Sequence, residues 1–252
     1  MSRAEPLRPG KEKPRRAAAL LMGKLIGIGL LATVGTFAVS AAEPPIPIEG
    51  TWMPERYSDR LLTASGEAPP LTPEAQALYA ERIATNNDPD RQYDRTLWCA
   101  GPGMPRIMFM PYAFEIRADA DFIGFIHDFY RWHRMVDMSG IEPDPILPQT
   151  MGYPAGRWEG QTLVVETEGL SEETVLDAMG LPHSGDMRLE ERLSLLPDGR
   201  LEARYTIEDP EYYSRPWEAV MTYRRAPEIV VGDDVCPDRL PAGEPPIRRA
   251  LP

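Results

Sequence analysis

Along most of this chain apolar and polar side chains alternate with a period of two, the spacing of half-buried β-strands. Met187, Leu189, Leu193 and Leu195 alternate with Arg188, Glu190, Arg192 and Ser194. Pro197-Asp198-Gly199 then supplies a turn, and Leu201, Ala203, Tyr205 and Ile207 resume the alternation, which predicts a hairpin. A second hairpin is predicted where Arg157-Trp158 leads through Glu159-Gly160 into the β-rich stretch 161–167. Residues 217–224, 106–117 and 122–138 read as further strands. Six or more antiparallel strands joined by short turns predict a mainly β fold closed into a barrel. A β-sandwich is the alternative, because alternation does not distinguish the two closures. The one helical signal is near the N-terminus. Thr72 is a suitable N-cap and Pro73 a suitable first residue for a surface helix over residues 73–85, followed by a polar loop over 86–95.

The first 42 residues follow a different pattern. Arg15 and Arg16 close a basic leader, residues 25–39 are apolar, and Ser40-Ala41-Ala42 offers small residues for a signal peptidase. An export signal over 1–42 is the expectation, with a barrel domain over 43–236 and a proline-rich flexible tail over 237–252. The mature protein is then periplasmic or secreted. The alternative is an uncleaved anchor in the inner membrane with the barrel facing the periplasm, against which the short apolar run argues.

Removal of the leader sharpens the charge balance. Residues 1–42 hold seven of the 27 basic residues and two of the 39 acids, which leaves 20 against 37, a net charge of −17. So acidic a chain repels phosphate backbones and anionic lipid, so nucleic acid and stable membrane association are not expected partners. The lysines all lie in the leader, which removes Schiff-base chemistry from the mature chain. Cys99 and Cys236 are the two cysteines, and in an oxidising compartment they are expected to form a disulfide.

Candidate chemistry is sparse. The three histidines, His127, His133 and His183, show no metal-ligand spacing, there is no serine-hydrolase elbow, and no cofactor is implied. Glu191 interrupts the apolar face of its strand, so it points toward the barrel interior, and His183 just precedes that strand. Together they are a candidate acid/base pair for elimination or isomerisation. Alternatively, Glu191 is half of a buried ion pair with an arginine and His183 holds a turn. Read as one strand, residues 122–138 place His127, Arg131, His133 and Asp137 on one face and Phe122, Ile126, Tyr130, Trp132 and Val136 on the other. Tyr130, Arg131, Trp132 and His133, with Trp158, are therefore the candidate ligand-binding residues, subject to there being no turn near Asp128. Two functions from different classes follow. One is a barrel that binds an apolar or aromatic small molecule and performs acid/base chemistry on it. The other is a non-catalytic envelope protein that meets a protein partner.

Two resemblances add to this. Gly50-Thr51-Trp52 resembles the Gly-x-Trp signature that opens the first strand of lipocalins, in which an arginine of the last strand stacks on the tryptophan. Arg224 or Arg225 is placed to do so here. The helical and polar stretch 71–95 departs from the lipocalin pattern. In order along the chain, Cys99-Ala-Gly-Pro-Gly-Met-Pro-Arg106, the stretch 156–167 (GRWEGQTLVVET), Pro182-His-Ser184, Glu191-Arg192, Glu208-Asp-Pro210 and Arg215-Pro-Trp217 resemble a large group of exported proteobacterial and acidobacterial proteins. Those proteins carry Gly-His-Ser and Gly-Asp-Thr where this chain has Gly152-Tyr153-Pro154 and Gly160-Gln161-Thr162. The resemblance implies export and a shared fold, and no reaction.

Overall fold

Among the described residues nine strands close on themselves. A computed structural model describes residues 45–88, 93–141 and 147–232; the expected signal segment, the proline-rich tail and Cys236 lie outside the described residues. The order is β1 (Gly50–Pro54), α1 (Pro73–Ala84), a 3-10 turn (Arg95–Trp98), α2 (Arg106–Phe109), β2 (Phe114–Ala118), β3 (Phe122–His127), β4 (His133–Asp137), β5 (Tyr153–Glu159), β6 (Thr162–Glu168), β7 (Arg188–Leu195), β8 (Leu201–Glu208) and β9 (Trp217–Arg225). Each strand pairs with the next, and β9 returns antiparallel to β1, with Trp52 opposite Arg225. That last pairing decides for a lipocalin-like barrel over the sandwich. The neighbours are antiparallel except β4 and β5, which run parallel and share the single pair Asp137 and Ala155. At this seam a Cβ on Gly156 would stand 2.5 Å from the Met138 sulfur and 2.6 Å from Val136 Cγ1, so only glycine lets the walls approach.

The period of two sorts the interior. Phe114 and Ile116 of β2, Ile123 and Phe125 of β3, Val165 of β6, Leu189 and Leu193 of β7, Tyr205 of β8 and Tyr223 of β9 are all buried in one core. Trp52 is also fully buried and donates from Nε1 to Ile48 O at 2.7 Å. The Arg225 guanidinium lies 4.4 Å from the Trp52 ring centroid and donates to Glu49 O at 2.9 Å and to Pro47 O. This cation–π lock ties the last strand to the chain entering the first. The helix begins at Pro73 under a Thr72 side-chain cap that accepts from Ala75 N.

Two strand assignments need correction. Residues 106–117 are not one strand: Arg106–Phe109 is a helical turn, and only Phe114–Ala118 is extended. The run Arg-Ile-Met-Phe does not alternate, and its first three residues are all buried, which suits a plug rather than a wall. Residues 122–138 are likewise not one strand. Residues 128–132 make a turn, in which His127 N donates to Trp132 O and Trp132 N to Phe129 O, and Tyr130 and Arg131 take positive φ. The turn shifts the phase of the alternation, so His127 and Arg134 point inward while His133 and Phe122 are exposed.

Strand β1 is five residues long and its partner β9 is nine. Beyond Pro54 the free edge of β9 is covered by loop instead. Glu55 N donates to Thr222 O, Arg56 Nη2 to Val220 O and Ala64 N to Glu218 O. The gap left in the wall here positions the site described next.

Candidate ligand-binding site

A cavity of about 370 Å³ occupies that gap, between the loop 56–66, α2, β9 and residues 176–178. Its volume is at the lower end of the range for small-molecule pockets. Leu61, Leu176, Phe109 and Met221 give it apolar walls, and Arg56, Arg60, Arg106 and Asp177 its charges. Phe109 also packs on Tyr205 of the barrel interior, with ring centroids 4.9 Å apart, so the cavity adjoins the core.

Two buried carboxylates hold the walls. Asp94 takes a two-armed contact from Arg106, with Nη1 to Oδ1 at 2.6 Å and Nη2 to Oδ2, and also accepts from the Thr96 hydroxyl and N–H. Burial pushes its carboxyl up, but the Arg106 guanidinium more than offsets this and holds it below the ordinary carboxylate range. Asp177 accepts from Leu61 N at 3.1 Å and the Tyr79 hydroxyl at 2.5 Å on one oxygen, and from Met179 N and Leu181 N, both at 2.9 Å, on the other. Burial raises its carboxyl against these four donors. Both carboxylates are committed to structure, so they shape the cavity rather than react in it.

Glu191 is the arginine-paired residue of the two alternatives raised above. It is fully buried, and its oxygens meet Arg134 Nη1 at 2.5 Å and Nη2 at 2.9 Å. The guanidinium stacks on Phe125, 4.4 Å from the ring centroid. His183 is engaged elsewhere: Nδ1 lies 2.8 Å from Ser184 O and Nε2 2.8 Å from the Thr174 hydroxyl. A carbonyl only accepts, so Nδ1 carries the proton, and in the neutral ring Nε2 shares the single Thr174 hydroxyl proton with Ser171 O, 3.0 Å from that hydroxyl. Burial lowers the His183 pKa and so favours that neutral form. No hydrogen bond joins Glu191 to His183. The neighbouring Ser184 donates from its N–H and its hydroxyl to Asp209, at 2.7 and 3.0 Å, which brings the Pro182-His-Ser and Glu208-Asp-Pro segments together as a structural clamp.

The other candidates scatter. Tyr130 and Arg131 sit in the turn, and His133 is exposed. Trp132 packs over Gly101, where a Cβ would lie 2.9 Å from its ring. Trp158 lines a cavity of about 410 Å³ at the β4–β5 seam with Ile123, Met138 and Gly156. The cavity beside β9 was invisible to periodicity because a non-repetitive loop forms it; the pair Leu61-Leu62 within a polar stretch was the one available signal. Among the described residues no group of His, Cys, Asp and Glu could hold a metal ion, and no helix is long and apolar enough to cross a membrane. Compared with protein-family models and with curated proteins, the chain matches none.

Proposed function

We propose that this protein is an exported barrel that binds an apolar or aromatic small molecule in the cavity beside β9. The observation that carries this reading is a cavity that joins an apolar wall of Leu61, Leu176, Phe109 and Met221 to charged groups, set where the barrel wall is loop rather than strand. Such an arrangement is typical of small-molecule sites. The lumen itself is filled by aromatic side chains and the Arg134–Glu191 pair. That filling favours binding at the wall, and it is also the feature that favours the second reading, a non-catalytic envelope protein with a solid interior. Acid/base chemistry at Glu191 and His183 draws no support from their separate partners.

Hydrogen exchange with and without a panel of aromatic acids and alcohols tests the assignment. Protection of residues 56–66 and 106–110 is the expected result. Protection of 118–123 and 156–158 instead would move the site to the Trp158 cavity, and no protection anywhere would leave the envelope reading.

Export and the disulfide belong to the same proposal. The partner proposed for Cys99 is Cys236. Intact mass of protein recovered from the periplasm is expected to show a chain beginning at or close to Glu43 and lacking the two thiol hydrogens. Reduction should then cost about 2–4 kcal/mol of stability. A mass that retains residue 1 would make the protein anchored, and two titratable thiols in unreduced protein would rule out the bridge.

A further inference from the structure

The rim of the cavity beside β9 carries two arginines, Arg56 and Arg60, that have no carboxylate partner among the described residues. On the outer wall arginines stand against carboxylates: Arg157 with Glu166, Arg192 with Glu159, Arg204 with Glu218, and Arg200 with Glu55 and Asp198. Arg56 and Arg60 do not. Among the described residues, the Arg56 guanidinium reaches only the Val220 carbonyl, at 3.3 Å, and the Arg60 side chain makes no hydrogen bond or ion pair. Acids outnumber bases 39 to 27 over the chain, so two unneutralised guanidinia at one cavity mouth run against its composition. Arg106, the third arginine of the lining, is already neutralised by Asp94. Asp177, the carboxylate of the lining, has its oxygens taken up by Tyr79 and three backbone N–H groups.

Resting on the reading that this cavity holds a ligand, we propose that the ligand is an apolar or aromatic monocarboxylate. Arg56 and Arg60 take its head, and Leu61, Leu176, Phe109 and Met221 its body. Guanidinium suits a carboxylate because its planar fork of N–H groups matches the two oxygens. A single negative charge fits better than a phosphate dianion, since the two free guanidinia face one buried carboxylate within a strongly acidic protein, and repulsion grows with ligand charge. The apolar walls set the remainder of the molecule.

Isothermal titration of the purified protein with phenylbutyrate and with phenylbutanol, which differ only in the head group, tests the proposal. The acid is expected to bind about tenfold or more tighter than the alcohol, as for a hydrogen bond to a charged group. In the Arg56→Gln/Arg60→Gln variant the two should bind alike, with alcohol affinity unchanged. Both positions are exposed, so folding should survive, and a melt checks it. Equal binding of acid and alcohol by the unaltered protein would overturn the head-group assignment and leave the cavity reading standing. Selectivity that persists in the double variant would overturn the role of these two arginines. If neither probe binds, both the head-group assignment and the cavity reading fall.

Discussion

Replacing Glu191 with glutamine is expected to lower the stability of the barrel by about 3–5 kcal/mol, the cost of breaking a buried ion pair from one side. The side chain has no exposure, and both of its oxygens are spent on Arg134, itself 1% exposed. Glutamine keeps the shape but offers one oxygen and an NH₂ group to a guanidinium that needs two acceptors. It also leaves a full positive charge in the core. Arg134 has nowhere else to turn: its Nε already lacks a partner, and its face is pressed on Phe125. The double replacement Glu191→Leu/Arg134→Met removes both charges together and is expected to be neutral or to stabilise by up to about 4 kcal/mol. Urea denaturation of the three proteins separates the possibilities. An unchanged midpoint for Glu191→Gln would show that the carboxylate is not holding the arginine, and would return Glu191 to consideration as an acid or base.

How legible these features were depends on what set each of them. Alternation on β7, β8 and β9 is set by one buried and one wet face, so Leu189, Leu193, Ala203, Tyr205 and Met221 could be placed inward from spacing alone. The contact between Trp52 and Arg225 was legible too, because closure of a barrel brings its first and last strands together. The turn at 128–132 was not. It contains no glycine or proline, and it forces Tyr130 and Arg131 to φ of 49° and 54°, a conformation whose cost is met by the surrounding pairing of β3 with β4. Glu191 was legible as an inward carboxylate, but its partner was not, since Arg134 lies 57 residues away and no local spacing singles it out among the arginines. The cavity is the least legible feature. It depends on β1 stopping at Pro54 while β9 continues, a mismatch between two strands far apart in sequence that no local pattern records.

The same interior makes the barrel acid-sensitive through His127, and removing that histidine is expected to flatten the dependence of stability on pH. His127 is fully buried, packs on Phe114 with ring centroids 5.4 Å apart, and has no partner for Nε2. Burial first, and the nearby Arg134 cation second, push its pKa down to about 3. In the unfolded chain the ordinary value is about 6.5. A folded-state pKa below the unfolded one means that the unfolded chain binds the proton first. The contribution to stability is therefore fully present above about pH 6.5 and is lost as pH falls toward 3, at up to about 1.4 kcal/mol per pH unit. His183, also lowered by burial, adds a loss of the same sign. Asp94 does not compete in the upper part of this window, because Arg106 holds its carboxyl below the ordinary carboxylate range. His127→Phe keeps an aromatic ring against Phe114 and has no proton to take up. Any packing change it brings shifts stability equally at every pH, so the slope isolates the titration. Urea midpoints at pH 7, 6, 5 and 4 are expected to fall more steeply for the unaltered protein than for the variant, and parallel slopes would show that His127 does not titrate between the two states.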